Sequence, residues 1–236
     1  MEPIYKRIIL KITGEAFSRN DRVLNMFARR DLANEIEAAY RLGIEIGIVV
    51  GGGNIARKIE LPDVEEETAD YMGMMATMIN ALFLQDILKK RGIVVRTQTA
   101  IEMEKIAEPF IPQQAIRHLE KKRIVILAAG IGKPRHTTDY TAIFRADKLR
   151  TEAILKGTKV DGIYTGDPLK EKRVKFIPEI SYAEMRERKL NVIENTALDL
   201  VLNEKVKKIP LYVFDIFKKG NLVRLLSGEK IGSKIY

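Results

Sequence analysis

Four short apolar runs in this chain of 236 residues each end in a glycine-containing, partly cationic turn, and that repetition narrows the folds open to it. Ile8 to Leu10 leads into Lys11-Ile12-Thr13-Gly14, and Ile44 to Val50 into Gly51-Gly52-Gly53-Asn54. Ile124 to Ala129 leads into Gly130-Ile131-Gly132-Lys133, and Ala153 to Leu155 into Lys156-Gly157-Thr158-Lys159. Helical periodicities separate the runs. Asp31 is placed to cap a helix whose Leu32, Ile36 and Ala39 or Tyr40 share a face and which Gly43 ends. A long helical pattern covers Thr68 to Lys90 and stops at Gly92; others cover Gln113 to Lys121 and run from Thr138 or Asp139, either of which can cap, through Lys148. This alternation predicts an α/β fold, a mostly parallel central sheet with helices on both faces. Ligands of such sheets bind beyond the carboxyl ends of the strands, so the four turns are expected to converge on one mouth. Glycine lets backbone amides approach an anion and lysine adds charge, which points to phosphate as the guest.

The last third is less regular. Helices are expected near Tyr182 to Arg188 and Thr196 to Glu204, a buried strand at Leu211 to Phe214, a short helix from Asn221 and a terminal strand within Lys230 to Tyr236. No linker or internal repeat interrupts the pattern, so one domain over residues 1–236 is expected, its two halves each serving mainly one substrate. A net charge of +9 invites a nucleic-acid reading, but the basic residues are scattered without interleaved aromatics and tryptophan is absent, so nucleic acid is not expected as the main partner. The absence of cysteine excludes a thiol nucleophile, a disulfide framework and a cysteine-ligated metal. His118 and His136 have no ligand spacing around them, and no protein metal site is expected. Residues 1–7 enter the first strand without a cleavable apolar core and no run reaches membrane-spanning length, so a soluble, cytoplasmic protein without a membrane partner is expected.

The turns match neither the Walker spacing nor the dinucleotide fingerprint. Lys11-Ile12-Thr13-Gly14-Glu15, Gly51 to Arg57, Ala69-Asp70-Tyr71-Met72-Gly73-Met74, Thr137-Thr138-Asp139 and Leu155 to Gly162, in this order, instead resemble the bacterial uridylate (UMP) kinases of the amino acid kinase superfamily. The likeness runs from Lys6 to Gly232, nearly the whole chain. It implies a three-layer αβα fold and ATP-dependent phosphorylation of UMP to UDP, a step of pyrimidine nucleotide biosynthesis, with Mg²⁺ entering on ATP and a homo-oligomer, typically a hexamer. The same resemblance implies Lys11, Asp139 and Lys156 as the catalytic residues. It implies Lys11, Ile12, Thr13, Gly14, Gly53, Arg57, Thr158, Tyr164 and Asp167 at ATP. At UMP it implies Gly52, Asp70, Ile131, Gly132, Lys133, Pro134, Arg135, His136, Thr137 and Thr138.

The chemistry has its own logic. A nucleoside monophosphate is largely dianionic near neutral pH, its second pKa being about 6, so it needs no general base; repulsion between two anions is the obstacle, and cations held in line answer it. Two other readings stand beside this one: phosphorylation of a carboxylate or carbamate by another enzyme of the superfamily, and a non-catalytic nucleotide sensor.

Departures from the family pattern are local. Where the family commonly has Gly-Thr-Gly-Asn-Pro-Phe-Phe, this chain has Gly130-Ile131-Gly132-Lys133-Pro134-Arg135-His136, which is more cationic. The segment from Phe17 to Arg30 lacks the glycine-rich loop tied to GTP activation in many members. Added GTP is therefore expected to change the rate of a UMP assay little; strong activation would contradict this reading.

Overall fold

The computed structural model describes residues 2–57, 63–166, 171 and 173–236. Its main sheet has nine strands in the order β4-β3-β5-β2-β1-β6-β10-β11-β9. In chain order these are β1 (Arg7–Ile12), β2 (Glu45–Val50), β3 (Val95–Thr99), β4 (Glu108–Pro109), β5 (Ile124–Ala128), β6 (Ala153–Thr158), β9 (Glu179–Ile180), β10 (Leu211–Asp215) and β11 (Ser233–Ile235). Every pairing is parallel except β10 with β11. A separate antiparallel pair joins β7 (Ile163–Tyr164) to β8 (Phe176–Ile177).

Strand parity builds three layers. Ile8, Leu10 and Ile12 of β1 pack with α1 (Met26–Arg41), α2 (Glu66–Lys90) and α7 (Asn221–Leu226). Ile9 points the other way, into a second core with α3 (Pro112–Glu120), α4 (Thr138–Lys148), α5 (Tyr182–Glu187) and α6 (Asn195–Leu202). Successive strand side chains alternate faces, so Lys11 shares the α4 side with Ile9. The four runs singled out in the sequence form the contiguous core β5-β2-β1-β6, and their carboxyl ends lie along one edge.

Several boundaries differ from expectation. α1 begins at Met26 because Asn25 caps it, its Oδ1 accepting from the amides of Phe27 at 2.9 Å and Ala28 at 3.1 Å. Asp31 therefore lies inside the helix. The early turn escaped the apolar pattern because one of its buried members is Arg29, whose guanidinium reaches Asp86 at 2.9 Å and the Phe83 ring. Lys11 and Lys156 belong to β1 and β6 themselves rather than to the turns that follow. Thr137, not Thr138 or Asp139, caps α4, its side chain accepting from the Tyr140 amide.

The glycines after β1 and β2 serve contact between loops. A Cβ on Gly14 would lie 2.7 Å from the Gly53 nitrogen, one on Gly51 2.6 Å from the Gly14 nitrogen, and one on Gly52 2.7 Å from the Gly73 oxygen. None of these three has positive φ. Their bare Cα atoms let the β1 turn, the triple-glycine loop and α2 close on one another; among Gly51, Gly52 and Gly53, only Gly53 has room for a Cβ. Asn80, fully buried on α2, locks the junction by donating to the Gly51 carbonyl at 2.7 Å and pairing with Asn54. Gly51→Ala is expected to lower the unfolding free energy by about 1–3 kcal/mol through overpacking against rigid backbone, read by denaturant titration.

Candidate active site

The sheet reverses direction at β1: β2 is laid down on one side and, after β3 to β5, β6 returns on the other. The crevice at such a switch point is where open α/β sheets bind ligands. Lys11 and Lys156 stand opposite each other across this β1–β6 boundary. Both are 9 % exposed. The α4 layer covers them and brings Asp139 between them, with Oδ1 at 3.1 Å from the Lys11 ammonium and Oδ2 at 2.6 Å from that of Lys156. Lys156 also donates to the Val192 carbonyl at 2.5 Å, which fixes its head from the α5–α6 connection.

Burial opposes the charge on Asp139, but the two ammoniums outweigh it and hold the carboxyl pKa at about 2. Its place in the first turn of α4 adds a favourable helix dipole. Burial lowers the Lys156 pKa, Asp139 raises it and Lys11 lowers it, with a net downward result. A carboxylate this acidic is a poor proton acceptor. The cluster carries one net positive charge in a nearly dry crevice, suited to meeting an anion.

Two concavities flank the crevice. A cleft of about 480 Å³ is lined by Gly52, Asp70, Arg135, His136, Thr137 and Thr138 of the expected acceptor set, and by Gly53, which was expected at ATP. Ile131, Gly132, Lys133 and Pro134 belong to the same loop but do not line it. Asp70 lies beyond the first residues of α2, and its Oδ2 accepts from the Arg135 amide at 2.7 Å, tying helix to loop. His136 donates from Nδ1 to the Pro134 carbonyl at 2.7 Å and sets its ring edge to face on Tyr140. The second cavity, about 590 Å³, is lined by Lys156, Thr158 and Tyr164 together with residues of the α5–α6 connection. The Tyr164 hydroxyl donates to Asp161 at 2.8 Å, and that bond raises its pKa. Asp167 lies outside the described residues.

After β1, Glu15 pairs with Arg57 of the glycine loop and with Lys159 beyond β6, the latter at 3.1 Å. Ile12 ends β1, Thr13 precedes the 3-10 turn Gly14–Phe17, and Gly14 packs against Gly53 and Asn54. Gly73, Met74 and Thr77 also line the acceptor-side cleft and were missed by sequence reading. They stand three, four and seven residues beyond Asp70, so helical spacing could have found them. Glu194 and Thr196 reach the cleft from far along the chain and gave no such signal. Among the described residues no three His, Cys, Asp or Glu side chains cluster to hold a metal.

A model of the amino acid kinase family matches residues 6–215. Among solved structures, the chain is similar to the UMP kinase of Bacillus anthracis at 34% identity and a TM-score of 0.93, over 98% of this chain and 96% of that one. It is similar to the UMP kinase of Ureaplasma parvum at 32% identity and a TM-score of 0.90, over 98% of each chain. The uridylate kinase of Archaeoglobus fulgidus, at 24% identity and a TM-score of 0.72 over 97% of this chain and 99% of that one, shares the fold.

Asp139→Asn leaves two buried ammoniums without their counter-ion and is expected to destabilise the chain by roughly 3–5 kcal/mol, the cost of breaking a buried ion pair from one side. Because the folded pKa lies below the ordinary 3.8, the carboxylate's contribution is complete above that value and disappears as pH falls through about 2. Unfolding titrations of both proteins should show a constant gap near neutrality that narrows between about pH 4 and pH 2. A gap unchanged at the acid end would contradict the assignment.

Proposed function

This chain belongs to the amino acid kinase family, a phosphotransferase family, and we propose that its own reaction is transfer of the ATP γ-phosphoryl group to UMP, giving UDP. The observation that carries the proposal is Asp139 held between Lys11 and Lys156 at the switch point, with Lys156 lining one cavity and Thr137 and Thr138, just before Asp139, lining another. UMP is assigned to the cleft lined by Gly52, Asp70 and residues 135–138, with Ile131 to Pro134 completing its loop; Asp70 is assigned to the ribose. ATP is assigned to the side of Thr158 and Tyr164, its phosphates reaching Lys11, Gly14, Gly53 and Arg57. The B. anthracis and U. parvum likenesses, which cover nearly the whole chain, support this acceptor over a carboxylate or carbamate.

The acceptor arrives already ionised, so no residue has to take a proton from it; this agrees with an Asp139 too acidic to act as a base. Asp139 instead sets the separation and direction of the two ammoniums. Lys11 and Lys156 then meet the equatorial oxygens of the transferring group, and their burial strengthens the interaction because little water screens it. Magnesium, carried by ATP and held by phosphate oxygens and water, supplies further charge neutralisation. The donor set fits that arrangement, since both Asp139 oxygens are engaged by lysines.

Assembly of several copies, a hexamer by resemblance, belongs to the same reading. The outer face of α2 exposes Met72 and Ile79, 40 % and 44 % accessible, whereas Met74 and Met78 are buried in the core. Such an apolar face suits a subunit contact. No helix among the described residues is long and apolar enough to cross a membrane.

A coupled assay with Mg-ATP, offering UMP, CMP, dUMP and carbamate in turn, is expected to show UMP as the dominant acceptor. Lys11→Ala should reduce kcat by about 10²–10³ or more, the scale of losing one preorganised charge-stabilising group. Turnover of carbamate without turnover of UMP would reject the proposal.

A further inference from the structure

Arg145 on α4 is a buried cation that the phosphoryl chemistry above leaves unused. It is 5 % exposed, its guanidinium carbon lies 3.6 Å from the centre of the Phe110 ring, and its Nε is buried without a partner. Burial pushes its pKa down to about 10, and among the described residues no carboxylate pairs with it to offset the effect. Enclosing a charge without a counter-ion is costly, and an apolar side chain over Phe110 would avoid the cost. Its side-chain hydrogen bond among the described residues runs from Nη2 to the Gly130 carbonyl, at 2.9 Å.

Gly130 lines the acceptor-side cleft and begins a loop of unusual backbone. Ala129, Gly130, Gly132 and Arg135 have φ of 57°, 58°, 76° and 63°. Side chains from neighbouring helices tie the loop elsewhere: Thr77 Oγ1 accepts from the Ala129 amide at 2.8 Å, Asp70 from the Arg135 amide, and Thr141 Oγ1 donates to the Thr137 carbonyl at 2.9 Å. Between Ala129 and Arg135, Arg145 grips the Gly130 carbonyl and His136, from within the loop, the Pro134 carbonyl. A trans peptide is planar, with C=O and N–H pointing oppositely, so drawing the Gly130 oxygen toward Arg145 turns the Ile131 N–H away from it. The Ile131 amide donates to no acceptor among the described residues.

We propose that Arg145 is a positioning residue for the acceptor: it holds the Gly130–Ile131 peptide with its carbonyl turned into the α4 layer and its N–H pointing the opposite way, beside the cleft that Gly130 lines, so that the loop offers an anionic substrate a donor instead of a repelling oxygen. The inference rests on UMP being the acceptor.

Steady-state kinetics of Arg145→Met and Arg145→Lys test it. Removing the donor should raise KM for UMP by about tenfold or more, the scale of one hydrogen bond to a charged group, and leave KM for ATP within about twofold. The lysine variant keeps a donor and a charge and should recover most of the UMP affinity. A fall in kcat with both KM values unchanged, an equal rise in both, or a lysine variant as impaired as the methionine one would overturn the proposal. Hydrogen exchange on the wild-type chain gives a readout independent of how the variants fold. UMP should slow exchange at the Ile131 amide and ATP alone should not; equal effects, or none from UMP, would also overturn it. A wild-type chain that turns over no UMP would instead sink the acceptor assignment, a result separable from normal UMP turnover with an indifferent Arg145.

Discussion

One carboxylate shared by two ammoniums organises this molecule. Asp139 binds Lys11 at 3.1 Å and Lys156 at 2.6 Å, and each partner comes from a different part of the chain. Two lysines side by side in a dry crevice repel each other, and the carboxylate between them offsets that repulsion and fixes both heads. That condition forces α4 to begin where it does, because Asp139 reaches both heads only from the first turn of a helix lying over the β1–β6 boundary. Thr137 takes the capping role and so leaves Asp139 available for the lysines.

The surrounding loops are braced against this centre from both sheet faces. On the α2 side, Asn80 grips Gly51 and Asn54, while Thr77 and Asp70 hold the loop that follows β5. On the α4 side, Arg145 and Thr141 hold the same loop. Glycines at 14, 51 and 52 allow the β1 and β2 turns to lie in van der Waals contact, so the cavity walls are backbone against backbone. Rigid walls of this kind give a charged crevice a definite shape without relying on long flexible side chains.

Much of this was legible in the chain, for physical reasons that can be named. Buried parallel strands are apolar runs, and runs that end in glycine and lysine announce their carboxyl ends; that is why β5, β2, β1 and β6 could be found and their ends placed together. The register of Lys11 against Lys156 was not legible, because periodicity shows that a strand exists but not which strand lies beside it. Asn80, Arg145 and Arg29 escaped notice for a related reason. Each is a polar residue within a helical pattern, and it becomes meaningful only once a partner tens of residues away is folded against it. Asp31 looked like a cap because it precedes the apolar stripe, yet Asn25 captured two free amides one and a half turns earlier. Local chemistry identified the candidates; tertiary contact decided among them.

Because Lys11 and Lys156 face each other on hydrogen-bonded neighbours, the gap between their Cα atoms is an interstrand spacing, about 4.8 Å. The sheet's own ladder therefore spaces the roots of the two lysines, while Asp139 sets where their heads lie. Lengthening, recharging or reshaping the connections that follow the strands alters what is admitted and leaves the spacing of those roots untouched. An architecture of this sort separates along the chain the part that spaces the lysines from the part that shapes the cleft around them.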